Sequence, residues 1–131
     1  MAFVFPGQGS QSVGMLADME PRSSIVGDTF ATASAALGYD LWALCQDDPD
    51  GRLSETEVTQ PALLTASIAL WRVWLEAGGG APILLAGHSL GEYSALVAAG
   101  AIELADAVSL VATRGRYMQE AVPAGSGGMA A

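Results

Sequence analysis

The chain has 131 residues, of which 51% are apolar, enough for one domain with one core and too many for a disordered segment. Fourteen acidic residues face five cations, all of them Arg, for a net charge of −9. That balance argues against nucleic acid or an anionic membrane surface as a partner of this segment.

Taken in chain order, Ala2 to Phe5 is a short apolar run closed by Pro6-Gly7, which reads as a buried strand. With no basic leader and only this run before Pro6, no signal peptide is expected. "GQGSQSVGM" follows as a Gly/Ser loop expected to open into a helix. Ser23 to Leu37 is helical in pattern and stops at Gly38, a C-cap candidate. "YDLWALCQ" reads as one or two helical turns. It holds Cys45, the single cysteine, so no disulfide framework is expected and a reducing, cytoplasmic compartment is the simpler setting.

"DDPDGRLSETE" reads as a solvated loop with a Pro-Asp-Gly turn. Pro61 suits the first turn of the next helix. There Leu64, Ile68, Trp71 and Leu75 fall on one face, and "AGGG" ends the pattern. This stretch is too short and, at Arg72, too polar to cross a bilayer. Pro82 to Ala86 reads as a second buried strand, and Leu90 to Ala99 as a helix. Glu103 to Val122 reads as another helix, with Leu104, Val108, Val111, Gly115, Met118 and Val122 on one stripe. "PAGSGG" ends that pattern. The order is that of α/β material with a parallel sheet. Two strands alone leave exposed edges, so the segment reads as part of a larger fold.

At the second strand-to-helix junction stands Gly87-His88-Ser89-Leu90-Gly91, a G-x-S-x-G match. In a chain with this many glycines about 0.1–0.2 such matches arise by accident, so context carries the signal. The strand before and the helix after are what a nucleophile elbow requires: the Ser projects from a strained turn, and the helix N-terminus offers free N–H groups to an oxyanion. The bland alternative is a Gly-rich turn with a capping Ser. His88 is the only histidine. Neighbours at an elbow point apart, whereas a base must lie within about 3 Å of the hydroxyl, so His88 reads as a structural group. The chain then holds no histidine base.

Gly7-Gln8-Gly9 after the first strand hints at a dinucleotide fingerprint. The third glycine position is Ser12, however, and no acidic residue ends a second strand at the required distance, so no dinucleotide cofactor is expected. The alternative is a loop whose N–H groups help form an oxyanion hole. Arg114 lies at the edge of the last helix's apolar stripe, roughly 80° from its centre, with Arg116 about 120° away on the other side. An Arg bordering buried surface needs an anionic partner: a substrate carboxylate, or an unseen acid in a structural ion pair.

Four segments, "FVFPGQGSQSVGM", "TQPALLTASIALW", "GHSLGEYSALVAAGAI" and "RGRYMQEAVPAGSGGMAA", together resemble malonyl-CoA:acyl carrier protein transacylase, the acyltransferase family of bacterial fatty acid synthesis that also supplies polyketide synthase domains. The resemblance implies an α/β-hydrolase-like core with a parallel sheet. It implies that Ser89 takes the malonyl group from malonyl-CoA as an ester and yields it to the phosphopantetheine thiol of acyl carrier protein, with no metal or cofactor. By similarity, the Gln8 and Leu90 N–H groups form the oxyanion hole, Arg114 binds the malonyl carboxylate, and Gln60 orients Arg114.

Members of that family are much longer. Their catalytic His follows an inserted ferredoxin-like subdomain that has no counterpart here. Residues 1–131 are therefore expected to be the N-terminal part of an acyltransferase core domain, with the C-terminal portion as a missing partner. That portion is expected to supply the base and the cations that the anionic substrates require. Alone, the chain is expected to be inactive and poorly ordered. The rival readings are a serine esterase or lysophospholipase-like hydrolase, and a non-catalytic fragment that needs a partner chain.

Overall fold

The structure, a computed structural model, describes residues 1–122. The segment read as "PAGSGG" lies outside the described residues. Two strands and five α-helices alternate as α/β material: β1 (Ala2–Phe5), α1 (Ser24–Leu37), α2 (Leu41–Asp47), α3 (Thr56–Glu76), β2 (Leu84–Gly87), α4 (Leu90–Ala98) and α5 (Leu104–Ala121). β1 and β2 pair in parallel, with Ala2 opposite Leu84 and Phe5 opposite Gly87. Among the described residues, no helix is long and apolar enough to cross a membrane.

The core is built around α3, which is buried almost continuously from Val58 to Ala69. Phe30 and Val26 of α1, Leu41 of α2 and Val108 and Val111 of α5 close around Leu64 and Ile68. Gly38 ends α1 in the left-handed region (φ 78°), its N–H returning to the Ser34 carbonyl. Asp40 then starts α2 by accepting the Ala43 N–H at 2.9 Å.

Four expectations need correction. First, the strands are not buried. Phe3 packs edge-on against Trp71 of α3 with ring centroids 5.1 Å apart, and α4 packs against both strands. On the other face Val4 is 75% and Leu84 66% exposed. Period-two alternation hides one face of a strand, and an apolar sequence cannot reveal that, among the described residues, the second face has no layer upon it.

Second, the Gly/Ser loop opens into a run of turns and a 3-10 turn at Glu20–Arg22, not into an α-helix. Leu16 there adopts φ 64°, which no helix continues through. Third, the acidic loop is not wholly solvated: it contains a 3-10 turn, Arg52–Ser54, whose Leu53 is buried.

Fourth, Pro61 lies inside α3, five residues after its first residue, Thr56. The earlier start is held by the Thr59 hydroxyl, which donates to the Leu53 and Glu55 carbonyls. Burial of Val58, Thr59 and Gln60 outweighs the reluctance of a residue before Pro to be helical. The apolar stripes fray at their ends, since Leu75, Met118 and Val122 are exposed.

α5 approaches α3 closely at Gly115, where a Cβ would stand 2.6 Å from the Thr56 carbonyl oxygen and 2.7 Å from Glu57 Cα. At Gly27 in α1, by contrast, a Cβ would meet only Glu20 Oε1, at 3.7 Å. The same substitution should therefore have opposite signs. Gly115→Ala is expected to destabilise the protein by about 1–3 kcal/mol through overpacking. Gly27→Ala is expected to stabilise it by about 0.4–1 kcal/mol through helix propensity and a less free unfolded chain. Urea denaturation of both variants checks the pair, and a destabilised Gly27→Ala or a neutral Gly115→Ala contradicts it.

Candidate active site

Ser89 sits between β2 and α4 with φ 52° and ψ −105°. For a residue with a side chain this is strained backbone, costing on the order of 1–3 kcal/mol. The turn is closed by the Gly91 N–H on the His88 carbonyl at 2.9 Å and the Glu92 N–H on the Ser89 carbonyl at 3.1 Å. The His88 N–H reaches the Phe5 carbonyl at 3.3 Å, tying the turn to the end of β1. Both flanking glycines are required by contact. A Cβ on Gly87 would overlap the Gly91 carbonyl group, and a Cβ on Gly91 would overlap the Phe5 carbonyl oxygen. The Ser89 hydroxyl does not cap α4 and the residue is exposed. The bland reading, a capping Ser, is therefore not what the geometry shows.

The Ser89 Oγ instead accepts a hydrogen bond from Arg114 Nη2 at 3.0 Å. Arg114 Nη1 donates to Gln60 Oε1 at 2.7 Å, and Gln60 is 1% exposed. The guanidinium also lies over the Tyr93 ring, 5.6 Å from its centroid. Among the described residues no carboxylate pairs with Arg114, whereas Arg116 is exposed and meets Glu120 at 4.0 Å. Arg114 is thus a half-buried cation fixed on one side by a neutral amide and directed on the other at the elbow hydroxyl. The structural ion pair that its position allowed is not found among the described residues.

His88 does not bond to Ser89; its Nδ1 lies beside Gly7, where a Cβ would stand 3.0 Å away. Gln8 is exposed, and its side-chain Nε2 donates to Thr56 Oγ1 at 3.3 Å. Neither the Gln8 nor the Leu90 backbone N–H donates a hydrogen bond among the described residues. For Leu90 this follows from its place as the first residue of α4, where N–H groups have no carbonyl one turn back. Cys45 is no competing nucleophile. Burial, with a smaller contribution from Asp48, pushes its thiol up to about 12.

Three neighbours escaped the reading of the sequence. Tyr93 stands four residues after Ser89 on α4. Met118 stands four after Arg114 on α5, and its Sδ accepts from Gln60 Nε2 at 3.3 Å. Gln119 Oε1 accepts the Thr56 N–H at 3.1 Å and so joins α5 to the start of α3. The i, i+4 spacing on each helix was the available signal for the first two.

Comparison with known proteins gives consistent matches. Over 130 residues the chain is 70% identical to a malonyl CoA-acyl carrier protein transacylase of Salmonella typhimurium, covering 99% of this chain and 42% of the relative. An acyl carrier protein S-malonyltransferase of Vibrio cholerae superposes with a TM-score of 0.91 at 62% identity, over 95% of this chain and 40% of the other. A malonyl-transacylase in complex with its type II PKS acyl-carrier protein gives 0.90 at 63% identity, over 93% and 40%. The chain therefore spans about two-fifths of the length of these relatives. The family model described as the acyl transferase domain matches residues 2–131, and the chain belongs to that family.

Proposed function

We propose that these residues form the nucleophile-bearing part of a transacylase that moves a malonyl group from malonyl-CoA to the phosphopantetheine thiol of acyl carrier protein. The observation that carries the reading is Arg114. It is held by buried Gln60, lacks an acidic partner among the described residues, and lies one hydrogen bond from Ser89. A cation in that place suits an acyl group that ends in a free carboxylate. A planar guanidinium can take both carboxylate oxygens. A hydrolase of apolar esters has no use for it. The names of the relatives, a malonyl CoA-acyl carrier protein transacylase and a malonyl-transacylase bound to its acyl-carrier protein, support the same substrates.

In this reading the Ser89 oxygen attacks the thioester carbonyl, and its proton passes to a base. The carbonyl oxygen becomes an oxyanion between the Gln8 and Leu90 N–H groups. Collapse of that intermediate breaks the C–S bond, the CoA sulfur leaves with the proton, and malonyl remains as an ester on Ser89. The carrier protein's thiol then repeats the sequence in reverse, so that one difficult transfer becomes two easier ones.

His88 lies on Gly7 rather than on Ser89, so the reading places the base in the portion that the relatives carry beyond the matched stretch. It places the cations that attract CoA and carrier protein there too, because this segment carries −9. A cytoplasmic setting fits the buried, unpaired Cys45.

Two measurements on the full-length protein test this. Incubation with malonyl-CoA should add one malonyl group by intact mass, and Ser89→Ala should abolish the adduct; an adduct that persists overturns the nucleophile assignment. Arg114→Ala should lose malonyl transfer about 10- to 150-fold, the equivalent of about 1.5–3 kcal/mol for an unpaired carboxylate, while acetyl transfer is kept or gained. Equal loss for both acyl groups assigns Arg114 a structural role instead.

A further inference from the structure

The loop after β1 is built in a way that the proposed chemistry does not by itself require. Gly7 presses against the elbow: a Cβ there would stand 3.0 Å from the His88 carbonyl oxygen. Gln8 is the next residue after that contact with the elbow. Two side chains that follow then fold back onto the loop's own backbone. The Ser10 hydroxyl donates to the Gly7 carbonyl at 2.8 Å, and Gln11 Oε1 accepts the Gly9 N–H at 2.8 Å. Gly9 stands at φ 108°, which a side chain would resist. The groups on either side of Gln8 are thus engaged, while the Gln8 N–H donates to nothing among the described residues. The Gln8 side chain is held aside by Thr56.

We infer that Ser10 and Gln11 are positioning residues, which hold this loop so that the Gln8 N–H is the donor presented to the oxyanion formed at Ser89. The inference rests on the acyl-serine reading above and adds to it which side chains make the oxyanion hole rigid. The physical need is plain. A donor stabilises developing charge well only if it is already in place, and a loop with two glycines in three residues has many other conformations to adopt. Ser10 and Gln11 remove that freedom before substrate arrives. Gln11 also occupies the neighbouring Gly9 N–H, which would otherwise compete as a donor or bind water.

Neither side chain is assigned a contact with substrate, so their loss should act on the transition state and not on binding. The oxyanion is the same for every acyl group, so the loss should not depend on the acyl chain. This separates the brace from Arg114.

The experiment is steady-state transfer from malonyl-CoA and acetyl-CoA by the full-length protein, with melting curves as a check on folding. Gln11→Met fills a similar volume without the acceptor oxygen, and Ser10→Ala removes the donor. Each is expected to lower kcat about 10- to 100-fold with KM changed less than about twofold, and by the same factor for both acyl groups. Ser10→Thr, which keeps the hydroxyl, should retain wild-type kcat. Wild-type kcat in both Gln11→Met and Ser10→Ala overturns the brace, as does a loss confined to KM or to malonyl, or a Ser10→Thr as slow as Ser10→Ala. If the wild-type protein forms no malonyl adduct at all, the acyl-serine reading falls and the brace falls with it. If the adduct forms and the variants match wild type, only the brace falls.

Discussion

The site depends on one close approach of backbone to backbone. Where β2 turns into α4, Gly87 lies against the Gly91 carbonyl group, and Gly91 lies against the carbonyl of Phe5 at the end of β1. No side chain fits at either position. That contact folds the chain back sharply enough to hold Ser89 in a backbone conformation that a lone Ser would leave, and the rest of the packing sustains the cost. In return, the hydroxyl stands clear of the helix it precedes, and the first N–H of α4 is left free. Moving either strand end relative to α4 would relax the turn and lose both at once.

The second dependence is longer in range. Arg114 belongs to α5 and Ser89 to the start of α4, and neither element alone brings them together. α3 does. It buries Gln60 against α5, and Gly115 lets the two helices approach until Gln60 Oε1 meets the guanidinium. The guanidinium satisfies the buried Gln60 amide oxygen, while the charge itself stays unneutralised. A carboxylate at Gln60's position would neutralise Arg114. The choice of Gln leaves the charge available beside the hydroxyl.

Among the described residues, the same sheet that presents the elbow is covered on one face only. Phe3 and Phe5 point towards the helices, while Val4 and Leu84 on the opposite face, with Ile83 just before β2, stand in water. An apolar face of this kind is uncommon on a free monomer and favours association. The relatives carry more than twice the matched length.

Much of the local structure was determined by the sequence itself. The four-residue run before Pro6, the glycine after Leu37, the Gly-x-Ser-x-Gly junction and the stripe that set Arg114 apart from Arg116 all express short-range rules of sterics and periodicity, and these elements stand where the rules put them. Tertiary structure decided the rest. Pro61 lies inside α3 because buried neighbours outweigh a local preference, and β1 and β2 leave Val4 and Leu84 exposed on a face that no element among the described residues covers. Tyr93, Met118 and the Thr56–Gln119 bond join the site's surroundings only because α3, α4 and α5 converge. A periodic pattern states which face of an element is apolar. It does not state which other element meets that face, because that is settled by the packing of segments far apart in the chain.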